Sequence, residues 1–218
     1  ATYHKMSYVD FKKSYPAINW DKVFEIYGLS EAKELNVSQP KAMKQVEEII
    51  ATTSLPKLKA YMEWSLLNSA SSYLSDAMEA EHFDFFTRVM TGTEEMQPRW
   101  KRAQGVLNSF LGQAVGQLYV QKYFPPEAKA RMEELVQNLM VAFGQRIDAQ
   151  DWMSAETKAK AHEKLDSFGV KVGYPDKWKD YSGLTVDASK SLFENVVAAN
   201  EFSYRDNIKR TFGKPVTH

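Results

Sequence analysis

Residues 127–147 read EAKARMEELVQNLMVAFGQRI, and this stretch decides the fold class of the chain. Apolar side chains recur in it at spacings of three and four residues, at Met132, Leu135, Val136, Leu139, Met140, Phe143 and Ile147. That spacing places them in one stripe along an α-helix. Pro125 and Pro126 stand just before the stretch, where proline is tolerated because the first N–H groups of a helix have no helical partner.

The same periodicity covers most of the remaining chain. It predicts further helices over 104–123, from Ser54 to about Met90, after Ser154, and over 188–210. Evidence for strands is limited to residues 34–37. The sequence therefore predicts a mainly α fold, a multi-helix packed lobe with little or no β-structure.

Two of the predicted helix starts share one pattern. Ser38 and Ser54 each stand two residues before a proline, so each hydroxyl is expected to cap the helix that follows. Gly92 is placed to end the long helix that starts at Ser54. A loop is expected over 173–187, which holds two glycines and a proline among polar residues.

Composition narrows the classes of function. The 218 residues are 44% apolar, enough for one large or two small domains, and 28 basic side chains balance 28 acidic ones. A net charge of zero gives no long-range attraction to nucleic acid or anionic lipid. The chain has no cysteine, which excludes disulfides and thiolate metal sites within it. No apolar run approaches the roughly 20 residues of a membrane span. Its first residues, ATYHK, show neither a signal peptide nor an initiator methionine, as expected of a fragment.

Two short motifs come close to metal-binding patterns. Residues 162–166, HEKLD, nearly match the zincin helix motif, but that motif needs a histidine at both ends and Asp166 stands at the second. Residues 79–82, EAEH, form half of a di-iron bundle site, which requires a second copy and two further glutamates. Both segments are interpreted as charged, solvated helix faces.

Two other patterns concern packing. Gly112 and Gly116 are four residues apart within a predicted helix, where glycine costs roughly 1 kcal/mol relative to alanine, so we expect both to admit a closely packed second helix. Residues 82–86, HFDFF, form a dense aromatic patch. Helix packing is the ordinary use of such a patch, and an exposed interface is the alternative.

Six short motifs follow one another along the chain. They are YHKM at 3–6, RWKR at 99–102, GQAVGQLYV at 112–120, YFPPEAK at 123–129, DWMSAETKAKA at 151–161 and GYPD at 173–176. In this order they resemble the N-terminal region of neprilysin-type, PepO-like zinc metalloendopeptidases, with His4 in place of the family's asparagine. The resemblance runs over essentially the whole chain, 1–218.

The resemblance implies a parent that is a mostly helical, two-lobed zinc endopeptidase acting on small peptides in a closed cavity. The family's Asn-Ala-Tyr/Phe segment, His-Glu-x-x-His helix and Glu-x-x-x-Asp motif have no matching position here. No catalytic, cofactor-binding or metal-ligating residue is therefore predicted, and zinc is assigned to the parent enzyme. The implied partners are the zinc-bearing C-terminal region of the same protein and short peptide substrates. Since the animal members are rich in disulfides, the absence of cysteine resembles a bacterial member, periplasmic or extracellular.

Two alternatives to this reading stay open. A free-standing helical interaction module would also expose apolar faces, although it should have a compact polar surface. An enzyme completed by a second chain that carries the zinc motif is the other.

Overall fold

The computed structural model describes residues 2–214 and is 67% helical. The chain divides into two compact units. The first comprises residues 2–96, Asp187–Val197 and Ser203–Phe212; the second comprises Gln97–Val186, Ala198–Phe202 and residues 213–214. The prediction of a mainly α fold is confirmed.

The first unit begins with a small α/β layer. Strands β1 (Lys5–Ser7) and β2 (Glu34–Asn36) pair antiparallel, with Met6 opposite Leu35. This two-stranded sheet packs with helices α1 (Tyr8–Ser14), α2 (Trp20–Ile26) and α3 (Pro40–Thr52). The unit continues with α4 (Leu55–Ala70), a 3₁₀ turn (Ser71–Tyr73), α5 (Asp76–Phe83) and a π-helical turn (Asp84–Val89).

An aromatic cluster forms the core of this layer. Phe11, Tyr15 and Val37 are buried, and the ring centroid of Phe11 lies 4.6 Å from that of Trp20 and 5.1 Å from that of Tyr15. The indole N–H of Trp20 donates to the Tyr15 carbonyl oxygen at 2.6 Å. This pairing satisfies the one polar atom that the indole brings into the core.

A buried carboxylate ties the loop before α2 to helix α3. Glu47 is 5% exposed and accepts hydrogen bonds from the Ala17 backbone N–H, at 3.1 Å, and from the Lys44 ammonium. The Lys44 bond is the main reason that the pKa of Glu47 lies below its usual value, and the Ala17 N–H lowers it further.

The second unit is built on three helices, α6 (Arg99–Tyr123), α7 (Pro126–Asp148) and α8 (Ala155–Asp166). Helix α6 is kinked at Leu111, whose φ of −119° and ψ of 22° are not helical. Residues 167–190 contain turns and no helix or strand, and this segment includes the expected loop at 173–187. Helix α9 (Leu192–Thr211) contributes residues to each unit.

Helix caps match the sequence in some places and depart from it in others. The Ser154 hydroxyl accepts from the Thr157 N–H at 3.2 Å, as expected for the start of α8. Ser54 is the N-cap residue of α4, as predicted, but its hydroxyl makes no capping hydrogen bond. The predicted cap at Ser38 is wrong, because α3 starts after Gln39 and has no side-chain cap. Proline occupies the first turn of both helices and already removes one unpaired N–H group there.

The predicted continuous helix from Ser54 to Met90 is also wrong. It breaks after Ala70, where the 3₁₀ turn leads to Leu74 in a non-helical conformation and Ser75 starts a new helix by accepting from the Met78 N–H at 3.4 Å. Gly92 adopts a φ of 76°, which suits its predicted role at the end of this segment. Among the helices of residues 2–214, none combines the length and apolar character needed to cross a bilayer.

Candidate functional site

Exposed apolar side chains are the dominant feature of the described surface. Within residues 2–214 the buried hydrophobic residues are few: Phe11, Tyr15, Val37, Ala70, Val196 and Ala199. Large apolar residues are exposed on most of the described helices, with α5 and α8 as exceptions. Scattered exposed apolar residues are ordinary, but continuous faces of them mark interaction surfaces.

The stripe on α7 that defined the fold class is only partly covered. Val136, Met140 and Ile147 are half-buried. Leu135 and Leu139, at spacing four on the same helix, are each 51% exposed, and Phe143 is 57% exposed. One edge of this amphipathic helix is therefore packed within the unit, and the other edge is open.

A second open apolar surface lies in the first unit, between α4 and the segment formed by α5 and the π-helical turn. We call it the α4–α5 groove, a cavity of about 610 Å³. Its apolar lining consists of Trp64, Leu67, Ala77, Met78, Phe85 and Phe86, with Asn68, Ser71, Glu81 and His82 as its polar members. The aromatic patch at 82–86 thus contributes three residues to an open groove.

Aromatic contacts order one wall of the groove. The ring centroids of His82 and Phe86 lie 4.6 Å apart, and the Phe85 and Phe86 rings meet edge to face at 5.0 Å. Phe85 and Phe86 lie within the π-helical turn Asp84–Val89, a local geometry that is rare and occurs frequently at functional sites. Within the charged half-motif at 79–82, Glu81 is exposed and His82 is half-buried, and both line this groove.

His162, the first residue of the near-zincin motif, has a structural partner. Its Nε2 lies 2.7 Å from Oδ1 of Asp148, a contact that joins α8 to the end of α7. The ring also lies against Gly144, where an added Cβ would be 3.5 Å from the His162 Cε1. Within residues 2–214, no set of three or more histidine, aspartate or glutamate side chains is arranged to hold a metal ion.

The loop after α8 is held on the second unit by Lys129. The Lys129 ammonium donates to Oδ1 of Asp176 at 2.6 Å and to the Tyr174 carbonyl oxygen at 3.1 Å, and it lies 4.7 Å from the centroid of the Tyr174 ring. The bond to Asp176 is the first cause of a raised pKa at Lys129 and of a lowered pKa at Asp176. Sequence reasoning missed this anchor because the two residues are 47 positions apart and no local pattern connects them.

Aromatic rings continue the anchor toward α6. The Tyr174 ring stacks on Trp178 with centroids 5.9 Å apart and meets Phe124 edge to face. A Cβ added to Gly116 would lie 3.4 Å from the Trp178 ring. The expectation that Gly112 and Gly116 both admit a second helix is therefore wrong within the described residues: Gly116 faces a loop tryptophan, and Gly112 has nothing within 4 Å of an added Cβ.

Comparison with known proteins identifies the family of the chain. The family model described as Peptidase family M13, for the N-terminal part of its members, matches residues 1–175, and the chain belongs to this family. Within it, the chain corresponds to the N-terminal region of neprilysin-type enzymes, as the motif series predicted.

Three similar proteins illustrate the match. A neutral endopeptidase of Lactobacillus helveticus is 31% identical over 196 residues, covering 89% of this chain and 30% of the relative. Endothelin-converting enzyme-like 1 of Mus musculus is 29% identical, covering 96% of this chain and 28% of its own length. The zinc metalloprotease ZMP1 of Mycobacterium tuberculosis, in its open state, superposes with a TM-score of 0.88 at 33% identity, covering 97% of this chain and 33% of that one. The chain spans about 30% of the length of the relatives that it matches.

Proposed function

We propose that the chain is a non-catalytic helical region of a zinc-dependent metalloendopeptidase that cleaves small peptides, and that its packed helices restrict access to the cleft. Its partner in this proposal is the remaining, zinc-bearing part of the same protein. Membership of peptidase family M13 supports the proposal, as does the likeness to a structure described as a zinc metalloprotease.

The accessible surface area is the observation that carries the proposal. It amounts to 17078 Å². A compact monomer of 25.0 kDa exposes about 10,000 Å², and two separate compact bodies of half that mass expose about 12,000 Å² together. The excess of about 5,000 Å² is several times the roughly 800 Å² that each partner contributes to an ordinary protein–protein interface. An area of this size fits an obligate partner within one protein.

The same observation weighs against the alternative of a free-standing interaction module. Such a module should bury its own apolar stripes and expose one patch of limited size. Here the open apolar faces lie in both units, on α4 and on α7 among others. A partner that covers them stabilises the chain, because apolar area left in contact with water costs about 25 cal/mol per Å².

The described residues do not fit a zinc site. His162 is engaged with Asp148, and no further donors join it. In the proposal, the zinc ligands and the group that activates water are supplied by the remaining part of the protein. The helices of this chain restrict access to the cleft and take part in no chemical step. Location outside the cytoplasm, in the periplasm or on a bacterial surface, is part of this proposal and follows from the resemblance to bacterial relatives such as the Lactobacillus helveticus enzyme.

Reassembly from two segments tests the proposal. The chain, the remaining zinc-bearing segment and an equimolar mixture are each assayed with zinc on a short fluorogenic peptide and on a folded protein. We expect the mixture alone to cleave the peptide, a chelator to stop it, and the folded protein to resist cleavage. The variant H162Q in the mixture should retain activity, since His162 has only a structural partner.

Three results would contradict this account. Zinc-dependent cleavage by the chain alone would place an active site in it. Full peptidase activity of the remaining segment alone, with unchanged preference for short peptides, would remove its role in access. Failure of the two segments to associate in sedimentation would favour the free-standing module.

A further inference from the structure

The α4–α5 groove is a candidate docking site for one element of the partner named in the proposed function. We propose that it receives an apolar face of a helix from the remaining part of the same protein. This inference rests on the proposed function and goes beyond it by naming the seat and the kind of element that fills it.

The walls of the groove favour an apolar occupant. Trp64, Leu67 and Phe85 are 58%, 48% and 53% exposed, although all three point into one concave surface. Ser71, the one buried polar residue of the lining at 4% exposed, already donates to the Asn68 carbonyl oxygen at 3.0 Å. Within the described residues, no buried side-chain nitrogen or oxygen lacks a hydrogen-bond partner. Six of the ten lining residues are apolar, so recognition in this proposal rests mainly on shape and apolar area.

The backbone of the groove favours a helix over an extended peptide. Its walls are helical, so their backbone N–H and C=O groups are hydrogen-bonded to one another within α4, α5 and the π-helical turn. An extended peptide would bury its own backbone groups without finding partners, which is costly. A helix satisfies its backbone internally and presents side chains at spacings of three and four, the usual mode of binding in an apolar groove.

The geometry at the π-helical turn indicates that the groove is a built feature. The turn places Phe85 and Phe86 edge to face, with His82 against Phe86, so that one wall is held by ring contacts and is not a collection of loose side chains. A preorganised wall lowers the entropy cost of docking. Glu81, at the rim, suits a basic side chain next to the apolar face of the occupant.

The source of the helix is argued from area and length. The excess exposed area of about 5,000 Å² fits an extensive partner within the same protein. The similar proteins are about three times as long as this chain, so that a covering element is available within one polypeptide.

A cysteine pair on α4 tests the inference. The chain contains no cysteine, so a single introduced thiol is the only one in it. Leu67 lines the groove and is 48% exposed; Leu66, its neighbour on the same helix, is 58% exposed and does not line it. L67C and L66C are made in the full-length protein and in the chain alone, and labelling by a maleimide is followed by mass spectrometry of the α4 peptide.

The expected result is selective protection. In the chain alone both thiols should label at similar rates, and in the full-length protein L67C should slow by about tenfold or more while L66C slows less. L67C labelled as fast in the full-length protein as in the chain alone overturns the inference, and so does equal protection at both positions. Protection of L67C in the chain alone that increases with its concentration assigns the groove to a second copy and also overturns the inference, as does protection of the chain alone by a short peptide substrate.

This experiment separates the inference from the proposed function. If the two segments associate and restore cleavage while L67C stays reactive, the proposed function stands, but the α4–α5 groove is not the place where the partner docks. The variant F85Q gives a second measurement: because Phe85 is 53% exposed in the chain alone, the change should lower the midpoint of urea unfolding of the full-length protein by more than that of the chain alone.

Discussion

Replacing Gly173 by alanine tests the anchoring of the loop after α8. Gly173 has a φ of 66°, a conformation that costs an L-residue about 1–2 kcal/mol. An added Cβ would also lie 2.7 Å from Cε1 of Phe124, closer than such atoms approach, and 3.2 Å from its Cζ, a tight contact. Forcing extra volume into a packed site costs about 1–3 kcal/mol. G173A should therefore lower the free energy of unfolding by about 2–5 kcal/mol.

The ring of Phe124 cannot yield freely. It meets Tyr174 edge to face with centroids 5.9 Å apart, and it is followed by Pro125, which restricts the backbone on its other side. Relief of the clash therefore requires the Tyr174 ring, and with it the Lys129 anchor, to move.

Urea unfolding of four proteins separates the two costs: the unaltered chain, G173A, F124L and the double variant. Tryptophan fluorescence is suitable because Trp178 stacks on Tyr174 in the same loop. In the F124L background the clash is reduced, so G173A should cost only the conformational 1–2 kcal/mol. G92A, at a φ of 76° with open space around its Cβ, should show the same smaller cost. If G173A costs the same with and without Phe124, the steric argument is refuted.

Two further predictions concern other parts of the chain. Since the pKa of Glu47 is lowered in the folded state, its charge contributes stability that is present above the unfolded pKa of about 4.3 and is lost as the pH falls through the lower folded value. E47Q should thus melt at a lower temperature than the unaltered chain at pH 7, and the difference should shrink progressively as the pH falls below about 4.3. E48Q, a change at an exposed neighbour, is the matched control, and a difference for E47Q that stays the same at low pH would contradict the assignment. G112A should raise the stability of the chain alone by up to about 1 kcal/mol in urea unfolding, because the position is helical and open, and a loss of stability there would reveal a contact that the structure lacks.

Local chemistry made much of the fold predictable. The stripe at 127–147, the prolines before it and the hydroxyl of Ser154 act within one or two helical turns, and α7 and α8 begin close to where these signals place them. The motif series that resembles neprilysin-type peptidases led to the family, since several short matches in order are specific although none of them carries chemistry.

Local signals failed where two continuations compete. Apolar periodicity continues from α4 into α5, so it concealed the break at residues 71–75, which depends on a non-helical Leu74 and on the Ser75 cap. The π-helical turn had no visible signal either, because the sequence DFFTRV is compatible with an ordinary helix.

By itself, then, the sequence determined the helical class, the position of most helices and the family, because periodicity and capping depend on neighbours along the chain. Only the tertiary structure decided which faces are covered. Burial depends on residues far apart in sequence, such as Lys129 and Asp176. The tertiary structure also showed that Leu135, Leu139 and the walls of the α4–α5 groove remain open to solvent, although their spacing is that of core residues. An apolar stripe states that a face is suited to burial, and what covers it is set by the elements that pack there.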